Sequence, residues 1–280
     1  MTKAAACANR ISDVLEIENS MKQEEKPQPF RDMSAGVCFN HVYLKYSGAG
    51  EEALTDIDFC VKSGQTAGII GGTGSGKSSV VNMVARFYDA TSGSVCVFGT
   101  DVKKLSLTEL RRKIGIVPQK AVLFSGTIRE NLKWGNENAT DEEIYDALKI
   151  AQAAEIVENK EEGLDYIIEQ GGKNLSGGQR QRLTIARALV KRPDILILDD
   201  SASALDFKTD AMLRSAIKNL NYKPTVFIVS QRTSSIMNAD IIIVLDDGKI
   251  LDKGTHDELL SRCEIYKEIY ASQFSKEAAK

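Results

Sequence analysis

Residues 71–79 read Gly-Gly-Thr-Gly-Ser-Gly-Lys-Ser-Ser. They lie between two apolar runs, Thr66-Ala67-Gly68-Ile69-Ile70 before and Val80-Val81-Asn82-Met83-Val84-Ala85 after. The order is strand, glycine turn, helix, with G-x-x-x-x-G-K-S at the turn. Glycines let backbone N–H groups converge on an anion without Cβ interference. The helix that follows aims its unpaired N–H groups and positive dipole end at the same point. Lys77 can reach the outer phosphates, and the Ser78 hydroxyl can ligate Mg²⁺. A chance glycine turn before a lysine would not bring the flanking strand and helix with it. The stretch Gly71, Gly72, Thr73, Gly74, Ser75, Gly76, Lys77, Ser78 and Ser79 therefore implies a bound nucleoside triphosphate.

The elements that must position this loop can be read on either side of it. Short β-like runs fill 36–62 (Val37-Cys38-Phe39, Val42-Tyr43-Leu44, Ile57-Asp58-Phe59), with Ser47-Gly48-Ala49-Gly50 as a turn. Tyr46 stands just before that turn, where a tyrosine serves either as packing or as a stacking face for an adenine. After the loop come short strands near 94–98, a helix start at Ser106-Leu107-Thr108-Glu109, and a buried strand Ile114–Val117 that ends in Pro118-Gln119. Residues 126–190 are mostly helical in pattern. Thr140-Asp141-Glu142-Glu143 is a capping box that launches a helix from Ile144 to Ala154. Leu175-Ser176-Gly177-Gly178-Gln179 opens another helix, which stops before Pro193. Asp194–Asp200 is an apolar strand ending in two carboxylates, Asp199 and Asp200; Thr225–Ser230 is a strand ending at Gln231-Arg232; Ile241–Leu245 is a third. Thr255-His256-Asp257-Glu258 caps a C-terminal amphipathic helix. Strands alternating with helices indicate an α/β core of parallel strands with ligands at their carboxyl ends. Gly71, Gln119, Asp199 and Gln231 all fall at such ends.

Bulk properties narrow the class. The chain has 280 residues, 42% hydrophobic and 27% charged, with a formal net charge of −3. That is an ordinary globular composition with no basic tract to argue for nucleic acid. The five cysteines are scattered without a C-x-x-C pair, a usage that favours a reducing compartment and buried thiols over a disulfide framework. Apolar runs such as Ile241–Leu245 are far too short to span a bilayer. Residues 1–20 can form a helix with Ala4, Ala8, Ile11, Val14 and Leu15 on one side, or a disordered leader. Residues 21–32, charged and carrying Pro27 and Pro29, read as a linker.

The order of these motifs resembles the nucleotide-binding domain of an ATP-binding cassette (ABC) transporter of the exporter branch. Tyr46 matches the aromatic loop, Gly71–Ser78 Walker A, Gln119 the Q-loop, Leu175–Gln179 the LSGGQ signature, Ile195–Asp199 Walker B and Ser203-Ala204-Leu205-Asp206 the D-loop. The stretch Phe124-Ser125-Gly126-Thr127-Ile128-Arg129-Glu130-Asn131-Leu132 is also typical of exporters. The fold implied is an α/β P-loop NTPase with a RecA-like core, an antiparallel β subdomain and an α-helical signature subdomain at 126–184. The implied division is 1–32 as the end of a membrane-domain helix with its linker, and 33–275 as the cassette. The resemblance further implies ATP and Mg²⁺ as ligands, and two cassettes closing head to tail on two ATP molecules. It also implies a transmembrane domain as partner, placing the chain at the cytoplasmic face of the cell membrane. Its default cargo is a drug-like or lipid-like amphiphile, with peptides also within the family's range. Asp199 would hold Mg²⁺ with Ser78 and Gln119, while Leu175, Ser176, Gly177, Gly178, Gln179 and Asp206 would serve the ATP of the opposite cassette.

Two positions depart from the family pattern. The residue after the Walker B aspartate is normally a glutamate, and the residue after the later strand a histidine. Here they are Asp200 and Gln231. Aspartate is one methylene shorter, and glutamine can carry neither a proton nor a positive charge. With Gln119, these would be the residues around the attacking water, so the expectation is a site that binds ATP and turns it over slowly. The signature is intact, which resembles the degenerate-site half of a heterodimeric exporter. The alternative is a regulatory nucleotide-sensing module with no turnover of its own. A DNA-repair or translation ATPase of the same superfamily fits less well, because only about a hundred residues, with no heptad run, separate Walker A from LSGGQ.

Overall fold

The structure is a computed structural model and describes residues 3–16, 21 and 23–277. A first helix, α1 (Lys3–Leu15), leaves Ile11, Val14 and Leu15 exposed. The helix expected over 1–20 is thus present through Leu15, and residues 1–2 and 17–20 lie outside the described residues. The proline-bearing stretch that follows is docked along part of its length. Phe30 packs edge-on against Phe98 with ring centroids 5.6 Å apart, and the N–H groups of Arg31 and Asp32 donate to the Phe98 carbonyl.

The two β-like runs near 37–44 form one strand, β1 (Val37–Leu44), with a register shift between Phe39 and Val42 where His41 turns to φ 46°. It pairs antiparallel with β2 (Leu54–Val61). The loop's own elements follow, β3 (Thr66–Gly71) and α2 (Lys77–Val84). Then β4 (Ser92–Val97) and β5 (Thr100–Asp101) complete a four-stranded antiparallel sheet in the order β2-β1-β4-β5. One sequence expectation fails here. Cys38 and Cys60 are register partners with Cα atoms 4.1 Å apart and are joined as a disulfide; Cys263 alone of the five cysteines is buried. A separation of 22 residues hides this pairing, because strand register and not spacing brings the two thiols face to face.

A short helix, α3 (Leu107–Arg112), capped by Ser106, leads into β6 (Ile114–Val117). The helical part then contains β7 (Gly126–Thr127), α4 (Ile128–Lys133), α5 (Asp141–Ile150), α6 (Ala154–Glu158), β8 (Ile167–Ile168) and α7 (Gly177–Val190). The capping box at Thr140 and Glu143 is present. The helix expected to run to Ala154 instead ends at Ile150, because Gln152 enters the left-handed region at φ 56° and a new helix starts at Ala154. The Phe124–Leu132 stretch also has a local explanation. Thr127 and Glu130 form a second capping box, and the buried Asn131 amide clasps the Phe124 backbone at both N and O.

The chain closes with β9 (Ile195–Asp199), α8 (Phe207–Lys218), β10 (Thr225–Val229), α9 (Thr233–Ile236), β11 (Ile241–Asp246), β12 (Lys249–Gly254), α10 (His256–Arg262) and α11 (Glu264–Glu277). The expected single C-terminal helix is two, broken where Cys263 adopts an extended backbone. The six-stranded sheet runs β12-β11-β3-β10-β9-β6, parallel except at the β12 edge. Its central strands are apolar on both faces, whereas the β12 edge is largely polar and unburied. Ile195, Ile197, Phe227 and Val229 join α2 and the antiparallel sheet in one core, while Leu196, Leu198, Val226 and Ile228 join α7 and α8 in the other. Continuous Val/Ile/Leu runs suit a parallel sheet covered on both sides, each such side chain contributing about 1.5–3 kcal/mol by its burial. The result is a rigid sheet whose carboxyl edge carries the candidate site.

Candidate functional site

The phosphate loop leaves β3 where no side chain fits. A Cβ on Gly71 would lie 2.1 Å from the Leu245 carbonyl oxygen, and Gly76, at φ 94°, is the N-cap of α2 with no side chain to cap it. The first N–H groups of α2 are therefore left for a ligand or water. Lys77 folds back into the loop, its Nζ donating to the Gly71 carbonyl at 2.9 Å and to Ser75 Oγ at 3.2 Å. Burial pushes its pKa down, opposed by the nearby carboxylates of Asp200 and Asp199. On the open side a Cβ at Gly72 or Gly74 would meet nothing within 4 Å, which leaves room for an anion in front of the backbone.

Next to the loop, Ser78 Oγ donates to Asp199 Oδ1 at 3.1 Å. Burial holds the Asp199 carboxyl above the usual carboxylate range, with the Ser78 hydrogen bond opposing. A hydroxyl and a carboxylate at this spacing form an all-oxygen donor pair, the chemistry a hard cation such as Mg²⁺ takes. Asp200, at φ 46°, turns sharply away from β9, and its N–H still donates to the Val229 carbonyl at 2.9 Å. Its Oδ2 accepts from Gln119 Nε2 at 3.0 Å, so two strand ends 81 residues apart meet through their side chains. A cleft of about 300 Å³ runs from Tyr46 over Ser79 and Lys77 to Gly248, and Tyr46 Oη lies 2.8 Å from Ser79 Oγ. Tyr88 supports the Tyr46 ring edge-on at 4.9 Å. Larger clefts, of about 650, 590 and 540 Å³, lie away from the loop.

The fold thus assembles Tyr46, Gly71–Ser79, Gln119, Asp199 and Asp200 at one edge. Gln231 follows β10 at the same edge, with an exposed side chain. The signature residues are elsewhere: among the described residues no hydrogen bond joins Leu175–Gln179 to the phosphate loop. Leu175 is buried, whereas Ser176 and Gly177 are exposed at the start of α7. Asp206 caps α8, its carboxylate accepting from Thr209 N at 2.9 Å, and these bonds hold its pKa below the ordinary value.

The sequence comparison matches these residues to a family. The model described as "ABC transporter" covers residues 54–203. The chain belongs to the ABC transporter family. It is 44% identical over 278 residues to the uncharacterised ABC transporter ATP-binding protein YfiB of Bacillus subtilis, covering 99% of this chain and 48% of that protein. It is 38% identical over 261 residues to the beta-(1→2)glucan export ATP-binding/permease protein NdvA of Rhizobium johnstonii, covering 92% and 44%. Among solved structures, a bacterial Atm1-family ABC exporter with ATP bound superposes with a TM-score of 0.90 at 33% identity, covering 95% of this chain and 47% of that one. The chain spans about half the length of these relatives, and among the described residues no helix is long and apolar enough to cross a membrane. As an ABC ATP-binding domain with exporter relatives, it has the expected mixed α/β fold with antiparallel and helical parts, and its family in general hydrolyses ATP.

Sequence reading missed two residues at this edge. Arg232 donates to the carbonyls of Ala202 at 3.3 Å and Leu205 at 3.2 Å, fastening the loop after β10 to the loop after Asp200. Gln273 of α11 reaches the same loop from the opposite side. An arginine beside Gln231 was a weak local signal. Gln273, 40 residues away in the chain from its partner Thr233, offered none.

Proposed function

We propose that this chain is the ATP-binding cassette of an exporter, that it pairs with a second, non-identical cassette, and that its own hydrolytic site is slow. The observation that carries the reading is the pairing of Asp200 with Gln119, 3.0 Å apart, at the place where a water-activating carboxylate is needed. The backbone N–H groups of Gly72–Ser78 would receive the phosphate chain, and Lys77 would exchange its carbonyl partners for phosphate oxygens. Tyr46 would offer its ring to the base. Ser78 and Asp199, with Gln119 beside them, would hold Mg²⁺, which when bound neutralises charge on the outer phosphates. Asp200 has a short arm already engaged by an amide, and the Gln231 amide can donate a hydrogen bond but cannot take up a proton or a positive charge, so the water would be poorly oriented and poorly deprotonated.

Ser176, Gly177, Gly178 and Gln179 present an exposed helix N-terminus that would complete the site of the opposite cassette, with Asp206 near the shared boundary. On this reading residues 1–32 continue from a membrane domain, 33–275 form the cassette with 126–184 as its helical part, and the chain sits at the cytoplasmic face. The test is the double variant Asp200→Glu with Gln231→His in the transporter assembled with its second cassette. Single-turnover hydrolysis at this site is expected to rise about tenfold or more, within the range a well-placed general base contributes. A wild-type site already as fast as its partner would overturn the reading, and so would a site in the wild-type chain that never turns over while transport proceeds on ATP binding alone.

A further inference from the structure

The loop that follows β10 is held from two sides. Arg232 ties it to the loop after Asp200, as described above. On the other side a single side chain of α11 makes three bonds to it. Gln273 Oε1 accepts from Thr233 N and from Thr233 Oγ1, each at 2.9 Å, and Gln273 Nε2 donates to the Gln231 carbonyl at 2.7 Å. The orientation of this amide follows from chemistry: a backbone N–H only donates and a backbone carbonyl only accepts, so oxygen must face Thr233 and nitrogen must face Gln231. Thr233 is fully buried, so its N–H and hydroxyl would be costly to leave without a partner. The helix that supplies Gln273 is itself anchored, because Tyr266 is fully buried and its hydroxyl lies 2.8 Å from His256 Nδ1 of α10.

We propose that Gln273 is a positioning residue for the nucleotide site: it clamps the backbone on both sides of Arg232 and so fixes where the side chain at 231 points. The proposal rests on the reading that residue 231 stands beside the water that attacks bound ATP. It makes α11 a brace for the reaction, since a shift of that helix reaches the loop at Gln231 through this amide. Gln273 itself touches no substrate. Its effect is on turnover more than on nucleotide capture, which belongs to the phosphate loop at the end of a different strand.

The test uses the 280-residue chain for structure and the assembled transporter for rate. In Gln273→Ala, hydrogen exchange at the Thr233 amide is expected to speed up about tenfold or more, while phosphate-loop amides stay unchanged. Affinity for a fluorescent ATP analogue is expected to stay within about twofold, and the hydrolytic kcat of this chain's own site, read by single turnover in the assembled transporter, to fall about three- to tenfold. Gln273→Glu keeps the acceptor for Thr233 but loses the donor to Gln231, so it should restore protection of the Thr233 amide and only part of kcat. Unchanged exchange at Thr233 in Gln273→Ala would overturn the clamp, as would an unchanged kcat or a loss of affinity equal to the loss of rate. Should the double variant Asp200→Glu with Gln231→His leave turnover at this site untouched, the slow-site reading falls, while the exchange and kcat arms still decide the role of Gln273.

Discussion

The helix N-termini of α2 and α7, the two proposed anion contacts of this chain, are built in opposite ways. At α2 the N-cap is Gly76 in the left-handed region with no capping side chain, and Lys77 fills the loop by bonding to its carbonyls. At α7 the N-cap is Ser176, whose hydroxyl accepts from Gln179 N at 3.2 Å while Gln179 Oε1 accepts from Ser176 N at 2.9 Å. The first terminus is incomplete without a ligand. The second caps its Gln179 N–H with its own Ser176 hydroxyl and stands at an exposed turn. The difference fits the proposed roles, capture of nucleotide at α2 and completion of an opposite cassette's site at α7.

The strongest way to break this contrast is Lys77→Ala. Removing a charge-assisted contact of about 1.5–3 kcal/mol should weaken binding of an ATP analogue by about 10- to 100-fold, read by fluorescence titration. Retained affinity would mean that α2 and its glycines suffice. A smaller effect is expected from Ser176→Ala, which removes a cap worth about 1 kcal/mol and should lower Tm by about 2–4 °C. Nucleotide affinity of the chain alone should not change; a loss of affinity would show that the two termini are coupled within one chain.

The smallest effect sharpens the electrostatic side. Burial raises the Asp199 pKa above 3.8, so between that value and its folded value the native chain binds more protons than the unfolded one. Stability contributed at this group therefore falls as pH rises through that window, and the penalty persists at neutral pH when no cation is bound. Asp199→Asn should raise Tm slightly near neutral pH and lose that advantage at about pH 3, while abolishing any Mg²⁺-dependent gain. A melting series with and without Mg²⁺ checks both signs.

Legibility in the sequence followed the range of the interactions. The phosphate loop, its strand and helix, and the boxes at Thr140/Glu143, Ser176/Gln179 and Thr255/Glu258 depend on groups within a few residues of each other. Spacing alone exposes such groups. The break at Gln152, the second C-terminal helix and the antiparallel edge strand β12 were not legible, because local propensity there is overridden by how the segments pack.

By itself the sequence pointed to a triphosphate site at Gly71–Ser79 and showed that the residues at 200 and 231 differ in chemistry from the family pattern. Only the tertiary structure decided that Cys38 faces Cys60, that Asp200 is engaged by Gln119 and that Gln273 grips the loop at Gln231. These three contacts span 22, 81 and 42 residues. Contacts at such separations are set by strand order and register, which no local spacing encodes.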